Sequence, residues 1–244
     1  MRSVDISKFI VEINADESLD PSVVGGKAAA VAELVKHKIT VPPCFTIKTN
    51  VFDDFIRPVA GDITSILTKV EKANVSSAFE AADSISNILA SQELPMGLTE
   101  SVKSRLISSG STLAVRSSAT TEDLKDASFA GIYDTYLDGA TGKSVLKRIR
   151  DVWTSYYTGR AISYREQKGI THQTGSMAVL VMDLIDAEAA GVMFTRDPRD
   201  GSDRVLINVA LGLGEGVVSG ESEADSFVLE SSSLAIIKRN VIDK

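Results

Sequence analysis

The 244 residues carry a formal net charge of −7, 43% hydrophobic and 24% charged residues, one cysteine and two histidines. That balance suits a globular chain with ample core material and argues against broad electrostatic binding to nucleic acid or an anionic membrane. A single Cys44 excludes an intrachain disulfide and a cysteine-rich zinc site, and no apolar run is long enough for a signal peptide or a membrane span, which makes the cytoplasm the expected location.

In chain order, Ala28, Val31, Leu34 and Val35 follow helical spacing behind a Gly-Gly start, which predicts a helix over 26–37. Val41-Pro42-Pro43 ends it, and 45–47 reads as a short strand. Asn50 is a candidate cap for a helix carrying Phe52, Phe55 and Ile56. Two amphipathic helices are predicted at 63–73 and 75–90. A break at Leu94-Pro95-Met96-Gly97 precedes a helix capped by Thr99. Residues 112–115 and 132–137 read as strands on either side of a polar loop, and helices follow at 145–157 and 159–168. Past Gly175 the helical period fades into strand-like runs at 177–185, 190–194, 204–209, 227–229 and 234–238. The shift predicts two lobes, 1–175 and 176–244, with a ligand site at the cleft where lobes meet.

Three familiar signatures are missing: a His-rich metal pattern, a Gly-x-Ser-x-Gly elbow and a Gly-x-x-x-x-Gly-Lys-Ser/Thr loop. Four other features carry chemistry. Gly25-Gly26-Lys27 opens a helix, where backbone amides, the helix dipole and the lysine favour an anion; a solvent-exposed helix start is the alternative. Arg116 stands where the first strand of the polar loop ends. Its planar guanidinium suits a phosphate, or equally a salt bridge to Glu122, Asp123 or Asp126. Ser128-Phe129-Ala130-Gly131 is either a turn whose amides close over phosphates or a plain hairpin. Gly212, Gly214 and Gly216 are evenly spaced, unlike a dinucleotide fingerprint, and Glu215 among them either faces a ligand or caps a turn.

Together, GGKAAAVAEL (25–34), ITVPPCFTI (39–47), LAVRSSATTEDLKDASFAGIYDTYL (113–137), RAISYREQKGI (160–170), AGVMFTRDP (190–198) and INVALGLGEGVVSGE (207–221) resemble the N-terminal nucleotide-binding domain of the phosphoenolpyruvate synthase and pyruvate phosphate dikinase family, with rifampicin phosphotransferase as a relative. The resemblance implies an α+β ATP-grasp fold, truncated at Lys244, with 1–175 and 176–244 as its subdomains. It implies that Lys27 and Arg116 contact the phosphates of ATP and act in catalysis. It also implies that the 126–131 segment, with Ser128 and Gly131, folds over those phosphates. Met182, Leu184 and Ile185 then fall on the hinge strand that reads adenine, with Met182 in place of the usual glutamine. Glu188 is placed near the ribose and Glu215 near the nucleotide.

The family's magnesium ligands, a Glu and a Gln, lie in downstream segments that this sequence does not include, so no metal ligand is expected here. The phosphocarrier histidine and the pyruvate-binding domain are likewise expected as partners outside these residues, and neither His37 nor His172 has the carrier context. On that reading these 244 residues hold ATP poorly alone and transfer nothing. A glucan or antibiotic acceptor, or a non-catalytic nucleotide-binding module, are the alternatives.

Overall fold

The computed structural model describes residues 5–14, 19–71, 74–106, 112–121, 123–124, 127–128, 131–214, 216–217 and 223–242. They form two units, Met1–Leu184 and Ile185–Lys244.

The first unit is built on an antiparallel five-stranded sheet in the order β1 (Ile10–Glu12), β2 (Cys44–Ile47), β7 (Met177–Asp183), β3 (Leu113–Ala119), β6 (Thr135–Ala140). The central strand, β7, is buried from Met177 through Val181 on both faces, which is why its sequence runs apolar without alternation. One face meets α1 (Pro21–Lys36), whose small residues Ala28 and Ala32 let the helix lie close to the strands beside Val24, Cys44 and Leu180.

The other face meets the helices α2 (Thr49–Ile56), α3 (Ala60–Leu67), α4 (Val75–Ser91), α5 (Leu98–Leu106), α6 (Lys143–Ser155) and α7 (Gly159–Lys168). Trp153 of α6 fills the middle of this core, its ring centroid 5.0 Å from that of Phe55 and 6.2 Å from that of Phe52. Burying aromatics of this size contributes about 2–3 kcal/mol each. Caps agree with the boundaries: Asn74 accepts from the Ser77 amide, Thr158 from the Ala161 amide, and Gly169 closes α7 in the left-handed region.

The second unit is an antiparallel sheet in the order β11 (Ile236–Asn240), β10 (Asp225–Glu230), β9 (Arg204–Leu211), β8 (Ala189–Phe194). Val205, Leu206, Ala210 and Val228 are its buried apolar residues.

The composition shift at 175 and the packing boundary at 184/185 lie on either side of β7. That strand hydrogen-bonds to β2 and β3, so it belongs to the first sheet although it opens the strand-rich part of the sequence. Arg116 was expected at a strand end. It sits mid-strand instead, because β3 continues to Ala119 through cross-strand pairs with Met177–Asp183. The three-residue β1 is too short for periodicity to reveal, and the second strand of the loop begins at Thr135 rather than 132.

Candidate functional site

On β3, residues 114, 116 and 118 share the sheet face that α1 covers. Ser118 joins the two elements: its hydroxyl donates to the Val24 carbonyl at 2.8 Å and accepts from the Ala28 amide at 3.0 Å. Between those partners the helix is interrupted by Gly25, at φ 74° and ψ 169°. A Cβ at Gly25 would lie 1.9 Å from the Ser118 carbonyl oxygen, so only glycine fits both the conformation and the space. The expected start at 26 is therefore the restart of a longer helix that begins at Pro21 with Asp20 as cap. Ser118 takes one of the restarted helix's amides from across the sheet, and Gly26 and Lys27 are held half-buried beside it.

Arg116 lies two residues before Ser118 on the same face, with Leu180 and Thr135 as its cross-strand neighbours. It is half-buried, and its Nη1 donates to the Met182 sulfur at 3.8 Å. Its Nε is buried without a hydrogen-bond partner among the described residues. A thioether is a weak acceptor, so among the described residues most of the donor capacity of this guanidinium is unspent, and an unpaired buried donor is costly unless a ligand completes it. Side chains of residues 122–130 lie outside the described ones, so the alternative salt-bridge partners Glu122, Asp123 and Asp126 do not enter this geometry.

Lys27 thus precedes the helix residue whose amide Ser118 accepts, Arg116 lies two residues before Ser118 on its strand, and Met182 meets Arg116 by a diagonal across β3 and β7. Ser128 belongs to β5 (Ala127–Ser128), which pairs with β4 (Asp123–Leu124), Ser128 opposite Asp123. Gly131 is exposed with φ at 71°; Phe129 and Ala130 are outside the described residues. Leu184 follows β7, its amide donating to the Thr112 carbonyl at 2.9 Å.

In the second unit, Ile185 and Glu188 are exposed, and the Glu188 carbonyl accepts from the Gly212 amide at 2.8 Å. Glu215 lies outside the described residues. Asp197, in the Phe-Thr-Arg-Asp-Pro turn after β8, receives the Arg199 amide at 3.0 Å, its Nε at 2.8 Å and its Nη2 at 2.6 Å. Those donors hold the Asp197 carboxyl down to about 2. Sequence reasoning missed Ser118, although period-two alternation from Arg116 on a buried strand points to it.

Among the described residues no three His, Cys, Asp or Glu side chains converge as a metal site, and no helix is long and apolar enough to cross a membrane.

The profile of the pyruvate phosphate dikinase AMP/ATP-binding domain matches residues 21–244. The chain belongs to that family. This AMP/ATP-binding domain is 34% identical to a probable phosphoenolpyruvate synthase of Methanocaldococcus jannaschii, over 98% of the chain and 21% of the relative. It is 36% identical to a phosphoenolpyruvate synthase of Aeropyrum pernix, over 91% of the chain and 28% of the relative. A rifampicin phosphotransferase of a Streptomyces species is 33% identical, over 89% and 26%. The domain therefore spans between about a fifth and somewhat more than a quarter of the length of these relatives.

Proposed function

We propose that this AMP/ATP-binding domain serves an ATP-dependent dikinase of the pyruvate, water type, located in the cytoplasm. Its two units are read as the subdomains of an ATP-grasp fold. Lys27 and Arg116 neutralise the phosphates of ATP, and the segment carrying Ser128 and Gly131 contributes backbone amides. Met182, Leu184 and Ile185 line the base, and Glu188 and Glu215 serve the nucleotide.

In the whole enzyme ATP would supply one phosphoryl group to a carrier histidine, which passes it to pyruvate. Water would take a second phosphate, so that AMP, phosphate and phosphoenolpyruvate leave. Phosphoryl transfer depends mainly on positioning and charge neutralisation, and this chain's part is to hold and orient the phosphates. The described residues do not make a magnesium site, so no step is assigned to a metal here.

The observation that carries the reading is Arg116: among the described residues, its buried Nε has no partner and its Nη1 only a sulfur, beside a glycine-enforced helix restart. In the full-length enzyme, Arg116→Ala should abolish ATP cleavage, a loss of about 10³-fold or more, while the melting temperature stays within a few degrees. Near-normal ATP-dependent turnover would overturn the assignment. The rifampicin phosphotransferase among the relatives supports a second reading, the same ATP chemistry with an antibiotic as acceptor. Assaying pyruvate and rifampicin as acceptors separates the two.

A further inference from the structure

Between α4, β6 and α6 lies a cavity of about 270 Å³, close to the lower end of the range for small-molecule sites, roughly 300–1,000 Å³. Its place relative to the sheet follows from β6. Tyr136, which lines the cavity, pairs with Val115, whereas Thr135 pairs with Arg116. Period-two alternation therefore turns Tyr136 to the helices and Thr135 to the face of α1. The cavity and Arg116 are on opposite faces of the first sheet.

Among the described residues, three charged side chains line it: Asp134, Arg150 and Asp151. Both carboxylates are already engaged. Asp134 accepts from Arg160 Nη2 at 3.3 Å, and Asp151 accepts from Arg148 Nη1 at 2.9 Å. Arg150, half-buried, has no such partner. Among the described residues its side chain makes one hydrogen bond, from Nη1 to the Ala90 carbonyl at 3.4 Å, and its Nε is buried with none. A guanidinium presents a planar fork of donors, and a carboxylate is the group that fills such a fork bidentately.

The rest of the wall is hydroxylic, and its hydroxyls are half spent in complementary ways. Thr154 Oγ1 donates to the Arg150 carbonyl at 2.9 Å, which leaves it able only to accept. Thr158 Oγ1 accepts the Ala161 amide at 3.2 Å, and its own proton has no acceptor among the described residues. Burial first, and then the charges of Asp134 and Asp151, push the Tyr136 hydroxyl up to about 12, so at neutral pH it is a donor. Groups that both donate and accept, such as the hydroxyls of a polyol, match this wall. A phosphate dianion offers acceptors only and is repelled by the two aspartates.

We propose that this cavity binds a small hydroxylated monocarboxylate of the sugar-acid class, with Arg150 holding the carboxylate and Thr154, Thr158 and Tyr136 the hydroxyls. The site is separate from the nucleotide site proposed above and does not rest on it.

Calorimetric titration of the full-length enzyme with gluconate tests it, with sorbitol, hexanoate and inorganic phosphate as comparisons. Gluconate should bind with a Kd of about a millimolar, the scale its size sets. Sorbitol lacks the charge and hexanoate the hydroxyls; each, like phosphate, should bind at least about tenfold more weakly. Arg150→Met should weaken gluconate at least about tenfold, with part of the loss recovered in Arg150→Lys, and Tyr136→Phe about threefold. Bound gluconate should slow amide exchange at 86–90 and 150–158, and saturating ATP should not displace it.

Absence of gluconate binding, a folded Arg150→Met with wild-type affinity, or displacement of gluconate by ATP overturns the site. Phosphate binding as tightly as gluconate overturns the sugar-acid assignment. Should Arg150→Met fail to fold, Arg150→Lys and Tyr136→Phe decide, and unchanged gluconate affinity in both overturns the proposal. An enzyme that binds gluconate but not ATP leaves this site standing and overturns the nucleotide reading instead.

Discussion

The two units cover their sheets in different ways. In Met1–Leu184 the sheet has α1 on one face and six helices on the other, and β7 is buried over five consecutive residues. In Ile185–Lys244 every residue of β11 is exposed, β8 alternates between half-buried and exposed, and Met193, Ile236 and Ile237 are all more than half exposed. The first unit therefore draws its stability from packing on both faces of its sheet, whereas the second depends mainly on strand pairing with few buried side chains. The contrast bears on the proposed site, because Lys27 and Arg116 are both mounted on the well-packed unit. Rigid elements hold a charged constellation more accurately than loops do.

The sharpest way to break that arrangement is Gly25→Ala. The added methyl would meet the Ser118 backbone rather than a flexible side chain, at a φ that alanine rarely adopts. Strain and overpacking together should cost roughly 2–5 kcal/mol, read as a fall in urea midpoint with little change in slope. Because α1 carries Lys27, ATP affinity should fall in the same variant even where it is still folded. A stable Gly25→Ala with intact ATP affinity would mean that the Ser118 junction does not set the site.

Next in size is a paired comparison between the sheets. Val179→Ala, fully buried in β7 between Ile47 and Ser117, should cost about 2 kcal/mol. Ile236→Ala, on the exposed β11, should change stability by less than about 0.5 kcal/mol. Equal losses at the two positions would show that the second sheet is buried against something in solution that these residues do not include.

Parts of this design were readable in the residues and parts were not. Helix periodicity located α1, α4, α6 and α7, and a glycine pair before a lysine marked the restart of α1. Strand pairing was out of reach, because β7 meets partners more than fifty residues earlier in the chain and nothing local encodes that register. The composition shift at 175 was real, but the unit boundary follows hydrogen bonding and not composition. Arg116 stood out by its chemistry; its contact with Met182 did not, being a diagonal across two strands. Arg165 was hidden altogether, since a charged residue in a polar helix gives no sign that Tyr133, Tyr156 and His172 enclose it. Buried polar networks are a property of the fold more than of any local pattern.

The smallest expected effects are those of pH, and they separate the units by window. His172 lies among Arg165, Glu166 and the 171–174 turn. Burial first, and then the Arg165 charge, push its pKa below 6.5, while the bond to Glu166 opposes them. Arg165 Nε can only donate, so Nδ1 accepts and the proton of the neutral ring sits on Nε2, facing Glu166. The unfolded chain then binds a proton that the folded one refuses. Stability is complete above about pH 6.5 and declines as pH falls from there toward the depressed folded value.

Asp197 works lower. Its carboxyl, held to about 2 by Arg199, stabilises its turn above the unfolded value of 3.8, and that contribution is lost as pH falls through about 2. Site-resolved amide exchange from pH 7.5 to 5 should therefore show loosening at 165–176 with the 197–204 turn unmoved. His172→Gln, which cannot titrate, should remove that dependence from the first unit. Loosening of both regions across the same window would mean that the two units share one titrating group, against the separation argued from their cores.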